Sequence, residues 1–395
     1  MKKIKMLFLD IEGGHGGSSN SLFNTVKHLN KNKIISTVIC KKKGIQDRYS
    51  NILIDCYIEK NMPTFSILRK DNRNIIFFIL FIFFIWPRSF FFRRRLLKLI
   101  DYKKIDIVHC NLISLTFLAS WLKRKRPSVA LTLHVRTNPV QNIAAKLIIK
   151  LAYRIFNDMI FITPNEKKNM EKILCKRIDG SIIFNSVFVQ KKQISQKKKL
   201  PLVVLVLSNY SYPRGIDRVI DIATIMPKEL RKKIKFIIIG DIKLPRFLPG
   251  ELKFLGLMGK TLKDYASLKR VADLFEFTGH KKSTNTDLDR VDILIKPTRE
   301  NNPWGRDILE ALAKGKAVVS IGTYDKFVKT RVTGLLQTSY DPKKVVEWLQ
   351  EHANNLKLFD KYRKNGIKII LENCDPIENA EKAENFWTKI YITTT

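Results

Sequence analysis

Between residues 299 and 320 the chain reads RENNPWGRDILEALAKGKAVVS, a stretch that combines three acids, four basic residues and two glycines. Leu309, Leu312 and Ala313 recur at helical spacing, so residues 304–314 read as a helix, and Glu310 falls within its apolar side. A carboxylate so placed can accept hydrogen bonds from ligand hydroxyls; it reads equally as an edge residue paired to a cation. Trp304, Gly305 and Arg306 open the helix, where unpaired amides and the helix dipole favour an anion and glycine permits close approach. Asn302 precedes Glu310 by two helical turns, and if every residue between them is helical the two lie about 12 Å apart.

Other segments could handle phosphate or sugar. LSNYSYPRGIDR (207–218) sets Asn209, Arg214 and Arg218 at a strand-to-helix turn, an arrangement able to stabilise a departing diphosphate, although exposed arginines are frequent in so basic a chain. GGHGGSS (13–19) follows the first strand, and Gly16 and Gly17 can cradle an anion or simply make a tight turn. His134 in LTLHVRT and His109 in IVHCN each end a buried strand, the edge at which open α/β sheets meet ligands; a hydrogen-bonded structural histidine is the competing reading. LFEFTGH (274–280) carries Gly279.

What is missing narrows the chemistry. The glycine loop is not GxGxxG, and no acid ends the second strand to hold a ribose, so a nicotinamide cofactor is disfavoured; no GK[ST] makes it a P-loop. Asp287 and Asp289 come close to an acidic metal pair but lie before strand 293–296, where a solvated loop is expected, so no metal is expected. Five cysteines show no CxxC spacing and suit a reducing cytoplasm. The N-terminal apolar run is cut by Asp10 and Glu12 to about five residues, short of the 7–15 of a secretory signal.

The elements that must hold these residues form two series. Strands are predicted at 4–11, 34–40, 105–110, 129–133 and 159–163, and then at 202–207, 235–239, 252–255, 293–296 and 317–320, alternating with helices that include 215–226, 261–271 and 304–314. Such alternation gives a parallel, doubly wound sheet in each half, an α/β protein with two Rossmann-like domains and a cleft between them. The polar, basic stretch 190–199 reads as the linker. The domains are placed at 1–195 and 196–372, with 373–395 a C-terminal helix crossing back to the first.

The chain carries 73 Lys and Arg against 36 Asp and Glu, a formal net charge of +37 over 395 residues. Nucleic acid, an anionic membrane or a phosphorylated substrate could answer that field. No alternating aromatic and basic strip of an RNA-binding sheet is present, so nucleic acid is not the expected partner. IIFFILFIFFIW (75–86) has no charge, is too short to span a bilayer, and leads into Arg93, Arg94 and Arg95. It reads as an apolar wedge with a basic rim at a membrane surface, or as a core helix followed by a basic turn.

The order of glycine loop, strand-end histidine, basic turn before glycine, GD strand (IIIGD, 237–241) and EALAKGKAVV resembles the retaining glycosyltransferases of family 4, the glycosyl transferases group 1, which have the GT-B fold. The resemblance runs over nearly the whole chain and is specific in 291–335. It implies a nucleotide diphosphate sugar as co-substrate with no further cofactor. His134, Asn302 and Arg214 would lie at the reacting centre. Gly16, Gly17, Asn209, Arg218, Gly279, Trp304, Gly305, Arg306 and Glu310 would bind the donor, with Glu310 on the ribose hydroxyls. The family usually has glutamate where this chain has Asn302, and a second cation where it has Asn209. An amide cannot act as a carboxylate nucleophile, so double displacement through this side chain is disfavoured and front-face displacement remains compatible. The expected acceptor is a glycan or lipid-linked glycan in lipopolysaccharide or polysaccharide synthesis, met by a cytoplasmic enzyme peripheral on the inner membrane face. A GT-B partner subunit that has lost catalysis, or a nucleic-acid-binding module, are the alternatives.

Overall fold

The computed structural model describes residues 2–11, 16–44, 46–65, 74–138, 142–189, 200–281 and 285–394. The chain divides into two units: Met1–Ser186 with Pro376–Thr395, and Val187–Asp375. The basic stretch 190–199, expected as a linker, lies outside the described residues.

In the first unit seven strands, β1 (Ile4–Asp10), β2 (Ile34–Cys40), β3 (Asp55–Ile58), β4 (Ile107–Cys110), β5 (Ala130–Val135), β6 (Asp158–Phe161) and β7 (Ser181–Ile182), form one parallel sheet in the order β3-β2-β1-β4-β5-β6-β7. Only Lys5 of β1 is not fully buried, because a central parallel strand is covered on both faces and therefore reads as a continuous apolar run. Leu7 and Leu9 face helices Phe90–Lys103, Thr116–Lys125 and Ile143–Ile155. Phe8 faces the other way, towards helix Gly17–His28 and the C-terminal helix Pro376–Thr394. The latter belongs to this unit because Ala380, Ala383, Trp387 and Ile390 recur every three or four residues and all are buried.

The second unit contains β8 (Leu202–Leu207), β9 (Ile234–Ile239), β10 (Phe275–Gly279), β11 (Ile293–Lys296), β12 (Ala317–Ile321) and β13 (Gly334–Gln337), parallel and ordered β10-β9-β8-β11-β12-β13. The strand expected at 252–255 is instead a helical turn, Glu251–Phe254, in which Leu252 alone is buried. Four residues, three of them apolar, carry no period that separates the two states. The edge place on β9 is taken by β10, and Gly279 ends that strand at φ 71°.

The apolar segment forms helix Asn74–Leu80, a π-helical turn Phe81–Ile85, a short turn Trp86–Arg88 and then helix Phe90–Lys103, the two limbs meeting at 60°. Pro87 supplies no amide to the helical ladder, and Ser89 caps the break by donating to Trp86 O at 2.6 Å. Among the described residues no single helix is long and apolar enough to cross a membrane. Phe81 is a core residue packed on Phe65, Phe117 and Trp86, whereas Phe83, Phe84 and Phe91 are each more than two-thirds exposed. The basic rim is partly used within the protein: Arg93 lies 4.1 Å over the Trp86 ring, and Arg95 makes a two-bond fork with Glu59.

Candidate functional site

In the second unit β8 and β11 are neighbours although β9 and β10 follow β8 in the chain, so the sheet changes direction between them. A doubly wound sheet leaves a crevice for ligands at the carboxyl ends of such a pair. The loops that leave β8 and β11 are locked together there. Gly215 has φ 67°, and a Cβ on it would fall 2.1 Å from Pro297 O, so glycine is required on both counts. Arg218 donates to Pro297 O (3.3 Å) and Thr298 O (2.9 Å), and its guanidinium lies 4.3 Å over the Tyr340 ring. Arg299 reaches back to form a fork with Asp217, donates to Tyr212 O at 2.8 Å and covers the Tyr212 ring. Arg218, expected on the diphosphate, is therefore committed to carbonyls of the facing loop. Sequence reasoning passed over Asp217 and Arg299, which are 82 positions apart and meet only at this crossing.

Arg214 is exposed on the β8 loop and donates to Ser208 Oγ at 2.7 Å and Asn209 O at 3.3 Å. Asn209 Oδ1 accepts from Asp241 N at 2.8 Å and so ties this loop to the one leaving β9. Gly240 sits between them at φ 143°, where a Cβ would meet Ser208 O at 2.2 Å. Lys296, the last residue of β11, sends Nζ to Trp304 O (3.2 Å) and Asp307 Oδ1 (3.1 Å). That puts a second cation at the start of helix Arg306–Ala313.

This helix begins at Arg306, two residues later than expected, and Asn302 lies in the preceding loop. The 12 Å spacing premised on a continuous helix therefore does not apply. Gly305 has extended backbone, so its φ does not require glycine; a Cβ there would fall 2.3 Å from Lys296 Nζ and 2.5 Å from Asp307 Oδ1, so a side chain would displace that ion pair. No side chain caps the helix start. Trp304 is buried edge-on against Tyr324, their rings 5.4 Å apart. Glu310, one turn into the helix, accepts from Arg306 Nε at 2.6 Å, both side chains about one-fifth exposed. Arg306 Nη1 and Asn302 Oδ1 are buried and have no hydrogen-bond partner. An unpaired donor and an unpaired acceptor thus flank an uncapped helix start, and together they can meet an anionic oxygen and a hydroxyl.

Asp287 and Asp289 have cationic partners: Asp287 is bound by Lys281 at 2.6 Å with Arg290 3.6 Å away, and Asp289 by Lys314.

In the first unit Gly16 caps helix Gly17–His28 with φ −73° and accepts from Asn20 N, while residues 12–15 of the glycine loop lie outside the described residues. His134 is the penultimate residue of β5 and is 7% exposed, its Nε2 buried without a partner. Its ring stands 5.8 Å from that of His109, which holds Thr132 Oγ1 at 2.8 Å and lies 5.2 Å from Trp387. Beyond it a buried polar chain closes the sheet edge: Arg136 donates to Asn111 Oδ1 (2.7 Å) and Asn185 Oδ1 (2.9 Å), and Asn111 donates to Asp10 (3.0 Å), which also accepts from Ser19.

Burial, with the charge of Arg136, pushes the His109 imidazole down to about 3. His134 is held well below the ordinary range by burial first, then by Arg136 and His109. Both rings are neutral in the fold, whereas in the unfolded chain each takes a proton near pH 6.5. Below that pH the unfolded state binds more protons, so stability should fall from pH 6.5 towards 3, by up to about 1.4 kcal/mol per pH unit for each histidine. Urea unfolding followed at pH 7, 6 and 5 should show this slope, shallower in His109→Gln. A pH-independent midpoint would show that the two rings are not buried neutral.

Two family models match, "Glycosyltransferase Family 4" over residues 15–190 and "Glycosyl transferases group 1" over residues 188–369. HepE from Anabaena in complex with UDP-glucose superposes with a TM-score of 0.72 at 16% identity, covering 98% of this chain and 100% of that one. Sucrose-phosphate synthase from Thermosynechococcus elongatus gives 0.73 at 14% identity, covering 99% and 100%. The lipopolysaccharide outer core galactosyltransferase WaaB gives 0.65 at 14% identity, covering 98% and 100%. Among curated sequences, the MATH and LRR domain-containing protein PFE0570w of Plasmodium falciparum is 26% identical over 46% of this chain, and the matched part is 2% of that protein's length.

Proposed function

Because the chain belongs to the family 4 glycosyltransferases of GT-B fold, we propose that it transfers a sugar, with retention and without a metal ion, from a nucleoside diphosphate sugar to a glycan or lipid-linked acceptor held at an anionic membrane surface. The observation that carries the donor reading is the uncapped start of helix Arg306–Ala313, with Lys296 beside it, the unpaired Arg306 Nη1 within it and Glu310 one turn along. The amides and Lys296 would take the diphosphate, with Arg214 at the neighbouring loop, and Glu310 the ribose. Asn302 would offer its amide oxygen to a sugar hydroxyl, and neutral His134 would orient the sugar or stabilise charge developing on it. Leaving-group departure would then be assisted by these donors and not by a protein nucleophile. The pairing of Asp287 and Asp289 with cations supports metal independence.

A thermal-shift screen with uridine, guanosine and adenosine diphosphates and their sugars, with and without EDTA, tests this reading. A ligand at a hundred times its dissociation constant should add about 2.7 kcal/mol of stability. Absence of any shift would overturn the donor site, and loss of transfer on chelation the metal-independent claim. Asn302 keeps a second reading open, a non-catalytic partner subunit: donor binding with neither transfer nor donor hydrolysis would select it.

The membrane part rests on the exposed ridge of Phe83, Phe84 and Phe91. Apolar insertion and attraction to anionic lipid combine to give reversible attachment at the cytoplasmic face. Phe83→Ser with Phe84→Ser should release the protein from anionic vesicles, with Phe81 left intact because it is buried. Co-sedimentation unchanged by this double substitution would remove the membrane reading.

A further inference from the structure

Behind the apolar ridge, at the carboxyl ends of β2 and β3, lies a pocket of about 350 Å³ lined by Lys41, Lys60, Asn61, Met62, Phe84, Ile85 and Arg88. The volume is at the lower end of small-molecule sites. Among the described residues that line it, three are cations and none is an acid. Glu59, next to Lys60 in the sequence, is turned to the Arg95 fork at 2.9 and 2.7 Å. The floor is fixed: Met62 is fully buried, its amide closes a turn on Glu59 O, and Glu59 N is bonded to Cys40 O at 2.8 Å. Lys41 is half-buried and donates to Thr64 Oγ1 at 3.0 Å. The upper lip is Phe84, 67% exposed, with Ile85 beside it. Half-buried Lys41 with exposed Lys60 and Arg88, beside an apolar lip, matches one kind of ligand, an amphiphile whose phosphate meets the cations and whose hydrocarbon chain runs out over the phenylalanines.

We propose that this pocket binds the phosphate of a membrane amphiphile, with Lys41, Lys60 and Arg88 as its counter-charges and Phe84 and Ile85 against the first part of the lipid chain. The proposal deepens the membrane reading and rests on it. Burial, and then Lys42, hold the Lys41 ammonium below its ordinary pKa. A phosphate in contact would offset both effects, since an opposite charge favours the ammonium form.

The test measures binding to phosphatidylcholine vesicles doped with dioleoylphosphatidic acid, or with oleate at matched surface charge. The unmodified chain should prefer the phosphate-bearing vesicles on the order of tenfold. Lys60→Ala with Arg88→Ala should abolish that preference, while Lys253→Ala with Lys263→Ala, two exposed cations of the other unit, should keep it. Equal losses in the two double variants would overturn the pocket and leave the membrane reading intact, since the effect would then be one of net charge. Vesicles bound equally whatever their anion would overturn it likewise. Absence of binding to any vesicle would sink both the membrane reading and the lipid assignment. If, in that case, pyrophosphate still bound to the unmodified chain and not to Lys60→Ala with Arg88→Ala, the pocket would hold a free phosphate compound, and the lipid source would be overturned together with the membrane reading.

Discussion

Glu310→Ala should raise the Michaelis constant for the donor roughly 10- to 150-fold, the equivalent of losing a charge-assisted hydrogen bond of about 1.5–3 kcal/mol. Arg306 Nε occupies one acceptor position of the carboxylate and fixes its direction. A carboxylate offers about four such positions, enough to receive both hydroxyls of a ribose as well. The bland alternative makes Glu310 half of an i,i+4 surface pair, worth about 0.3–0.5 kcal/mol and silent in donor binding. The two readings separate cleanly because the pair's loss would show in the melting temperature and the ribose contact in donor affinity. Glu310→Gln, which keeps the acceptor but not the charge, should lie between wild type and alanine. A donor dissociation constant unchanged in Glu310→Ala, measured calorimetrically, would end the ribose assignment.

The sheets were legible in the sequence for a simple reason: β1, β8 and β12, and the carboxyl halves of β2 and β9, are largely covered on both faces and so appear as apolar stretches. The short edge strands β3, β7, β10 and β13, part exposed, lack that signal and were passed over. The apolar segment shows the same limit from the other side. A run with no polar residue has no period, so nothing in it distinguishes buried Phe81 from exposed Phe83 and Phe84. In the second unit the placement of Gly305 and Glu310 at and within a helix was readable, because it is set by that helix's own period. The roles of Arg214, Arg218 and Lys296 were not, because they depend on which carbonyl or carboxylate a neighbouring loop presents. Arg218 differs from Arg214 only in meeting Pro297 O and Thr298 O across the crossing.

That crossing should also carry the largest stability effect. Arg299→Ala is expected to destabilise the second unit by about 3–5 kcal/mol, the cost of stranding a buried charge when its partner is removed. Asp217 is 2% exposed, and its carboxylate is held by both guanidinium nitrogens of Arg299. Without the arginine, that carboxylate must find water or a proton inside the packed loops. The substitution also removes the bond to Tyr212 O and the cover over the Tyr212 ring, the contacts that join the β11 loop to the β8 loop. By contrast Lys232 and Glu229, each more than 70% exposed, form a pair whose removal should be almost unmeasurable. Adding Asp217→Asn to Arg299→Ala removes the stranded charge and should recover part of the loss. Such recovery identifies the buried carboxylate, and not the lost packing alone, as the source. Because Arg214 and the start of helix Arg306–Ala313 are carried by these two loops, donor affinity should fall with stability in the single variant. Urea unfolding that shows a change below about 1 kcal/mol would mean that Asp217 is solvated and that the loops are held by their backbone contacts.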